Sequence, residues 1–154
     1  MLAVTATVLL AAGTATPSTP KLGCRPAQTV ALVKRFVIAF NQGNRPVLNN
    51  QLWGGKTYFN WYTVTTAPGL RVDPEARRRD TLMSYFATRH AAAERLVLTS
   101  VEINGVTGGG YRNFEFHLMR SAADLPASPD AYDGKGASSC FTGRLTTWVM
   151  GVTR

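Results

Sequence analysis

YRNFEFHLMR, residues 111–120, alternates Phe114, Phe116 and Leu118 against Asn113, Glu115 and His117. A period of two sends one set of side chains to each face of a sheet, so the segment predicts a half-buried strand. Behind it, Thr107 to Gly110 reads as a turn and Leu96 to Val106 as a partner strand. Gly108-Gly109-Gly110 belongs to that turn and matches no phosphate-cradling pattern. Ahead of it, a loop rich in Pro, Ser and Asp covers Ala123 to Gly134. Ala137 to Thr142 and Leu145 to Thr153 then complete an antiparallel meander of about four strands.

The first half reads differently. Val30, Val33, Phe36, Val37 and Phe40 recur at three- and four-residue spacing and predict a helix from Ala27 to Gln42, ended by Gly43. Pro46 opens a short second helix that Gly54-Gly55 stops. Tyr58 to Thr65 is aromatic and β-branched, a strand pattern, with Pro68-Gly69 marking the loop beyond it. Asp73-Pro74-Glu75 has the chemistry of a helix start, and the third helix is expected to run to about Ala92. Helices followed by a run of strands define an α+β domain with helices on one face of the sheet.

Several of these segments resemble the nuclear-transport-factor-2-like (SnoaL-like) domains. They are the first helix, Leu52-Trp53-Gly54, the strand Phe59-Asn60-Trp61-Tyr62, the helix with Leu82-Met83-Ser84-Tyr85-Phe86, and Gly134-Lys135-Gly136-Ala137 through Trp148. The resemblance covers residues 27–153. It implies a cone-shaped curved antiparallel sheet with about three N-terminal helices on its concave face, around a mostly apolar pocket. A single helix on a sheet, the cystatin-like alternative, leaves the extra helices unexplained. Some domains of this type are isomerases, dehydratases, cyclases or epoxide hydrolases, and others only bind ligands or pair with proteins. Fold alone does not choose. The residues expected to line the cone are Phe36, Phe40, Trp53, Tyr58, Trp61, Phe86 and Phe116, with His90 at its mouth.

Catalysis in such a cone generally uses a carboxylate or a His–Asp pair whose burial tunes its pKa. The acids of this chain fall elsewhere in the pattern. Asp73, Glu75 and Asp80 belong to the start of the third helix and Glu94 lies just past its end. Asp124, Asp130 and Asp133 lie in or beside the loop. Glu102 and Glu115 alternate outward, and His117 shares the Glu115 face. His90, one turn from Glu94, is the remaining catalytic candidate.

Upstream of the domain, Leu2 to Ala15 is apolar and small, shorter than the roughly 20 residues a membrane span needs. It resembles a secretory signal with small residues Gly13-Thr14-Ala15 at its end, although no Lys or Arg precedes it. Residues 1–15 are therefore expected to be a signal segment, 16–26 a linker and 27–154 the domain, secreted or in the cell envelope. The mature chain is expected to have no transmembrane span, and where translation truly starts is left open. Two cysteines in an exported chain point to a Cys24–Cys140 disulfide. Gly23-Cys24 also faintly resembles a lipoprotein acylation site, so lipidation of Cys24 stays open. Two Cys and two His at these spacings match no metal pattern, and no cofactor is expected.

With 17 Lys and Arg against 9 Asp and Glu, the net charge of +8 favours anionic partners. Arg77-Arg78-Arg79 splays around a helix rather than forming a stripe, so nucleic acid is not expected. The reading that follows is an exported, non-catalytic domain binding a small apolar ligand or a protein partner, a homodimer included. The alternatives are an isomerase, dehydratase or cyclase using His90, and a basic surface protein for anionic envelope polymer.

Overall fold

The computed structural model describes residues 24–61, 75–76, 79–125 and 129–153, the side chains of 51–61 and 75–76 excepted. Helix α1 spans Pro26–Asn41, with a proline at its first turn. Its face of Leu32, Val33, Phe36, Val37 and Phe40 is buried as its spacing predicts. Gly43 at φ 62° ends it, accepting a left-handed conformation that a Cβ would strain. Helix α2, Arg45–Val47, runs into a π-helical turn at Leu48–Leu52, and the Asn44 side chain accepts from the Val47 N–H. The described residues of α3 are Arg79–Ala91.

Six strands form one sheet: β1 Trp53–Trp61, β2 Glu75–Ala76, β3 Arg95–Val106, β4 Tyr111–Ser121, β5 Asp130–Ser139 and β6 Leu145–Val152. Their order is β2-β1-β6-β5-β4-β3. The expected antiparallel meander is β3 through β6. Strand β1 adds to it in parallel with β6, placing Phe59 at the register position of Trp148. The helices cover one face of this curved, unclosed sheet, and a core of aliphatic and aromatic residues lies between.

Three boundaries differ from expectation. The strand expected from Tyr58 starts at Trp53, directly after the helical turn, and runs through Gly54-Gly55. Glu75-Ala76 does not begin α3 but pairs with Asn60 and Phe59, which satisfies backbone groups along the β1 edge. Strand β5 starts at Asp130, inside the expected loop, and Cys140 lies in the turn beyond it. The reason is local: a Cβ on Gly134 would sit 2.0 Å from the Phe116 ring, and one on Gly136 would sit 2.2 Å from the Phe114 ring. These glycines occur within the strand because two phenyl rings occupy the space above it.

Two joints hold α1 in place. At its C-terminal end, Asn41 donates Nδ2 to the Leu96 carbonyl at 2.8 Å and accepts the Leu96 N–H at 2.9 Å. At its other end, Cys24 is disulfide-bonded to Cys140, which removes the lipidation alternative for the sulfur in this state. Arg112 also forks onto the Cys24 carbonyl, through Nε at 3.0 Å and Nη2 at 2.6 Å.

Candidate functional site

The helix-packed face of the sheet is built from alternate residues of four strands. Phe114, Phe116 and Leu118 come from β4, Tyr132 from β5, and Leu145, Trp148 and Met150 from β6, with Leu96 from β3. Phe116 stacks on Trp148 at 4.0 Å between centroids. Trp148 meets Phe36 at 4.7 Å, Phe36 meets Phe86 at 5.8 Å, and Phe86 meets Phe40 edge-on at 5.6 Å. Edge-to-face and offset contacts of this kind match the ring quadrupoles as well as burying area.

Four of the expected lining residues, Phe36, Phe40, Phe86 and Phe116, thus form one buried aromatic chain with Trp148. Trp53, Tyr58 and Trp61 lie on β1, beside β6, and their side chains are outside the described residues. His90 is not among the buried residues. It is exposed at the end of α3, and its ring occupies the space where a Gly43 Cβ would project.

One acid does enter the interior, which the sequence pattern did not anticipate. Glu94, in the turn after α3, is 1% exposed. Ala93 at φ 53° makes the tight reversal that brings it inward. Arg120 reaches its carboxylate through Nε at 2.8 Å and Nη2 at 3.0 Å, and Arg89 adds a third bond through Nε. Arg89 then forks onto Asp124 at 2.7 and 2.8 Å. The Arg120 guanidinium lies 5.4 Å above the Tyr132 ring, close enough for a cation–π contact.

This cluster ties α3 to the start of β3, the end of β4 and β5. Burial alone would lower the Arg89 pKa. The Asp124 hydrogen bonds and the Glu94 charge outweigh that, and hold it above the ordinary arginine range. Glu94, facing two guanidiniums, has its lone pairs directed at fixed cations rather than at space a substrate could enter. A carboxylate so arranged serves the structure, its oxygens occupied by charge-assisted hydrogen bonds.

The outer face of the sheet is polar, as alternation predicts. Glu102 is exposed and Glu115 partly so, opposite each other across β3 and β4. His117 Nδ1 pairs with Asp133 of β5 across the sheet, rather than with Glu115 on its own strand. Glu115 instead meets Lys135 at 3.4 Å and Asn104 at 3.3 Å. Two open grooves of about 380 and 330 Å³ run between these residues and Val149. A His–Asp pair is therefore present, but it is solvated and on the face away from the aromatic chain. Among the described residues no cluster of His, Cys, Asp and Glu could hold a metal ion.

No protein-family model and no curated protein matches the chain. Solved structures do. A protein assigned as a dehydratase of the NTF2-like family from Streptomyces avermitilis is 15% identical with a TM-score of 0.63, over 83% of this chain and 95% of that one. An NTF2-like protein with a cystatin-like fold from Novosphingobium aromaticivorans is 10% identical with a TM-score of 0.59, over 82% and 80%. A protein assigned as an isomerase from Bacillus subtilis is 10% identical with a TM-score of 0.58, over 82% and 87%. At such identities the likeness is one of fold. The fold is the nuclear-transport-factor-2-like one that the sequence resembles.

Proposed function

We propose that this is an exported, non-catalytic domain that binds a small apolar ligand at the aromatic side of its helix-packed face. The observation that carries the reading is the state of Glu94. The described carboxylate that penetrates the interior is bonded to Arg89 and Arg120, so its charge is spent on holding α3 to the sheet. The rest of the described interior is aliphatic and aromatic, and the neighbouring strand β1 carries Trp53, Tyr58 and Trp61 in its sequence. Apolar pockets with few polar groups favour ligands by burial and shape rather than by reaction. The Cys24–Cys140 bond supports an oxidising compartment, where structural disulfides persist.

Displacement of an anilinonaphthalenesulfonate dye by long-chain alcohols and fatty acids tests this reading. Saturable displacement near one site per chain supports it. A native protein that takes up no dye and carries no co-purified small molecule refutes it.

A second reading has an observation of its own. Two of the similar structures are assigned as a dehydratase and an isomerase. An enzyme of that class built here would use His90, near the end of α3. On that reading His90→Ala abolishes turnover of an apolar carbonyl or hydroxy compound while the thermal midpoint barely moves. Equal turnover by the variant removes His90 from consideration.

A further inference from the structure

We propose that the end of the domain carrying the disulfide is a docking surface for an anionic lipid bilayer. Three of the large apolar residues that the fold leaves exposed gather there: Val106 at 48%, Tyr111 at 42% and Phe141 at 62%. They sit on two neighbouring turns. The Cys140 N–H donates to the Gly110 carbonyl at 2.8 Å, and the Phe141 ring fills the space over Gly110. The turn that presents Phe141 is closed by Ser139, whose hydroxyl accepts the N–H groups of Phe141 and Thr142 at 3.2 and 3.3 Å. A partly exposed phenyl ring on a braced turn beside a tyrosine suits a membrane interface.

The charge on the two turns themselves has one sign, and the next acid along the sheet is Glu115, which meets Asn104. Arg25, Arg112 and Arg144 flank the two turns, and segments 24–28, 104–114 and 136–147 contain no Asp or Glu. Arg112 is bonded to the Cys24 and Asn104 carbonyls, which leaves its charge unneutralised. Among the described residues no ion pair involves these three arginines, in contrast to Arg89 and Arg120 at the Glu94 cluster. Cations around exposed aromatics complement an anionic lipid surface, where each contributes to binding. A soluble polyanion would use the arginines but gain nothing from the rings.

The chain enters the domain at this same end. The expected linker joins it at Cys24, which Cys140 fixes beside Phe141. The proposal does not depend on what the aromatic interior binds.

The test is flotation of the full chain with vesicles of phosphatidylglycerol and phosphatidylcholine, against phosphatidylcholine alone. The expected result is salt-sensitive binding to the anionic vesicles only. Tyr111→Ser with Phe141→Ser lowers affinity about tenfold by removing buried ring area. Arg25→Gln with Arg144→Gln lowers it about fivefold per charge. Circular dichroism keeps both pairs at the parent thermal midpoint. As a second readout, Phe141→Trp is quenched by brominated lipid only in the anionic vesicles. Flotation of both double variants at the parent level overturns the proposal, because the segment before Cys24 would then account for membrane binding. Binding to soluble polyglycerol phosphate without binding to vesicles overturns it in favour of an envelope polymer, and so does the absence of any binding.

Discussion

Glu94 is where a single residue contributes most to the molecule. Removing one partner from a buried ion pair leaves the opposing charge unsolvated, which costs about 3–5 kcal/mol. Glu94→Ala removes the carboxylate that the buried Arg120 and Arg89 share, although Arg89 keeps its two bonds to Asp124. Urea unfolding should register a loss in that range. Glu115→Ala on the outer face should register less than about 1 kcal/mol, because its partner Lys135 is solvated. Arg89 adds a pH prediction. A cation whose folded pKa is raised contributes stability that is fully present below its unfolded value and lost only as pH rises through the folded one. Its pKa is raised beyond the ordinary arginine range, so unfolding monitored from about pH 6 to 10 should show no step from this group. Part of the cluster left a signal in the sequence that the expected alternation, ending at Leu118, did not use. The alternation Phe114, Phe116, Leu118 extends to Arg120, and an arginine on a core-facing position requires an anion. Glu94 was not legible, since it follows a helix and precedes a strand, where neither periodicity reaches. Its inward course depends on the left-handed Ala93.

Elements with a clean period were read correctly, and those whose pattern is set by a neighbour were not. The face of α1 and the alternation of β4 each follow from their own residues. Strand β5 does not, because Gly134 and Gly136 are set by the rings of Phe116 and Phe114 on the next strand, and within β5 itself they read as loop. Likewise Glu75-Ala76 has helix-start chemistry, yet the open edge of β1 claims it. The β5 account predicts that Gly134→Ala costs about 1–3 kcal/mol in unfolding experiments, since a ring must move to admit the methyl group. Phe116→Leu should recover part of that loss in the double variant, and additivity of the two would contradict the contact. The disulfide acts on α1 as an element. Opening a loop of 116 residues by Cys24→Ser with Cys140→Ser should cost about 5 kcal/mol on the loop-entropy relation. Hydrogen exchange should accelerate first at the Pro26 end of α1, with the Asn41 end still held by its two bonds to Leu96.

At the scale of the whole molecule, the sheet divides two chemistries. Its helix-packed face is aromatic, with its one described acid locked between arginines, and its outer face carries the titratable pairs His117–Asp133 and Glu115–Lys135. A catalytic cone inverts that distribution by keeping its acid or base inside and unsaturated. Strand β1 pairs with β6 beside Trp148, and its sequence carries Trp53, Tyr58 and Trp61. Native mass spectrometry of the full chain, loaded with a displacing fatty acid or long-chain alcohol, follows occupancy and chemistry in one experiment. Binding without reaction predicts one bound molecule per chain, recovered at its original mass after prolonged incubation. Recovery of a dehydrated or isomerised product would show that the interior holds a working acid or base, and would contradict the assignment of Glu94 as a purely structural anion.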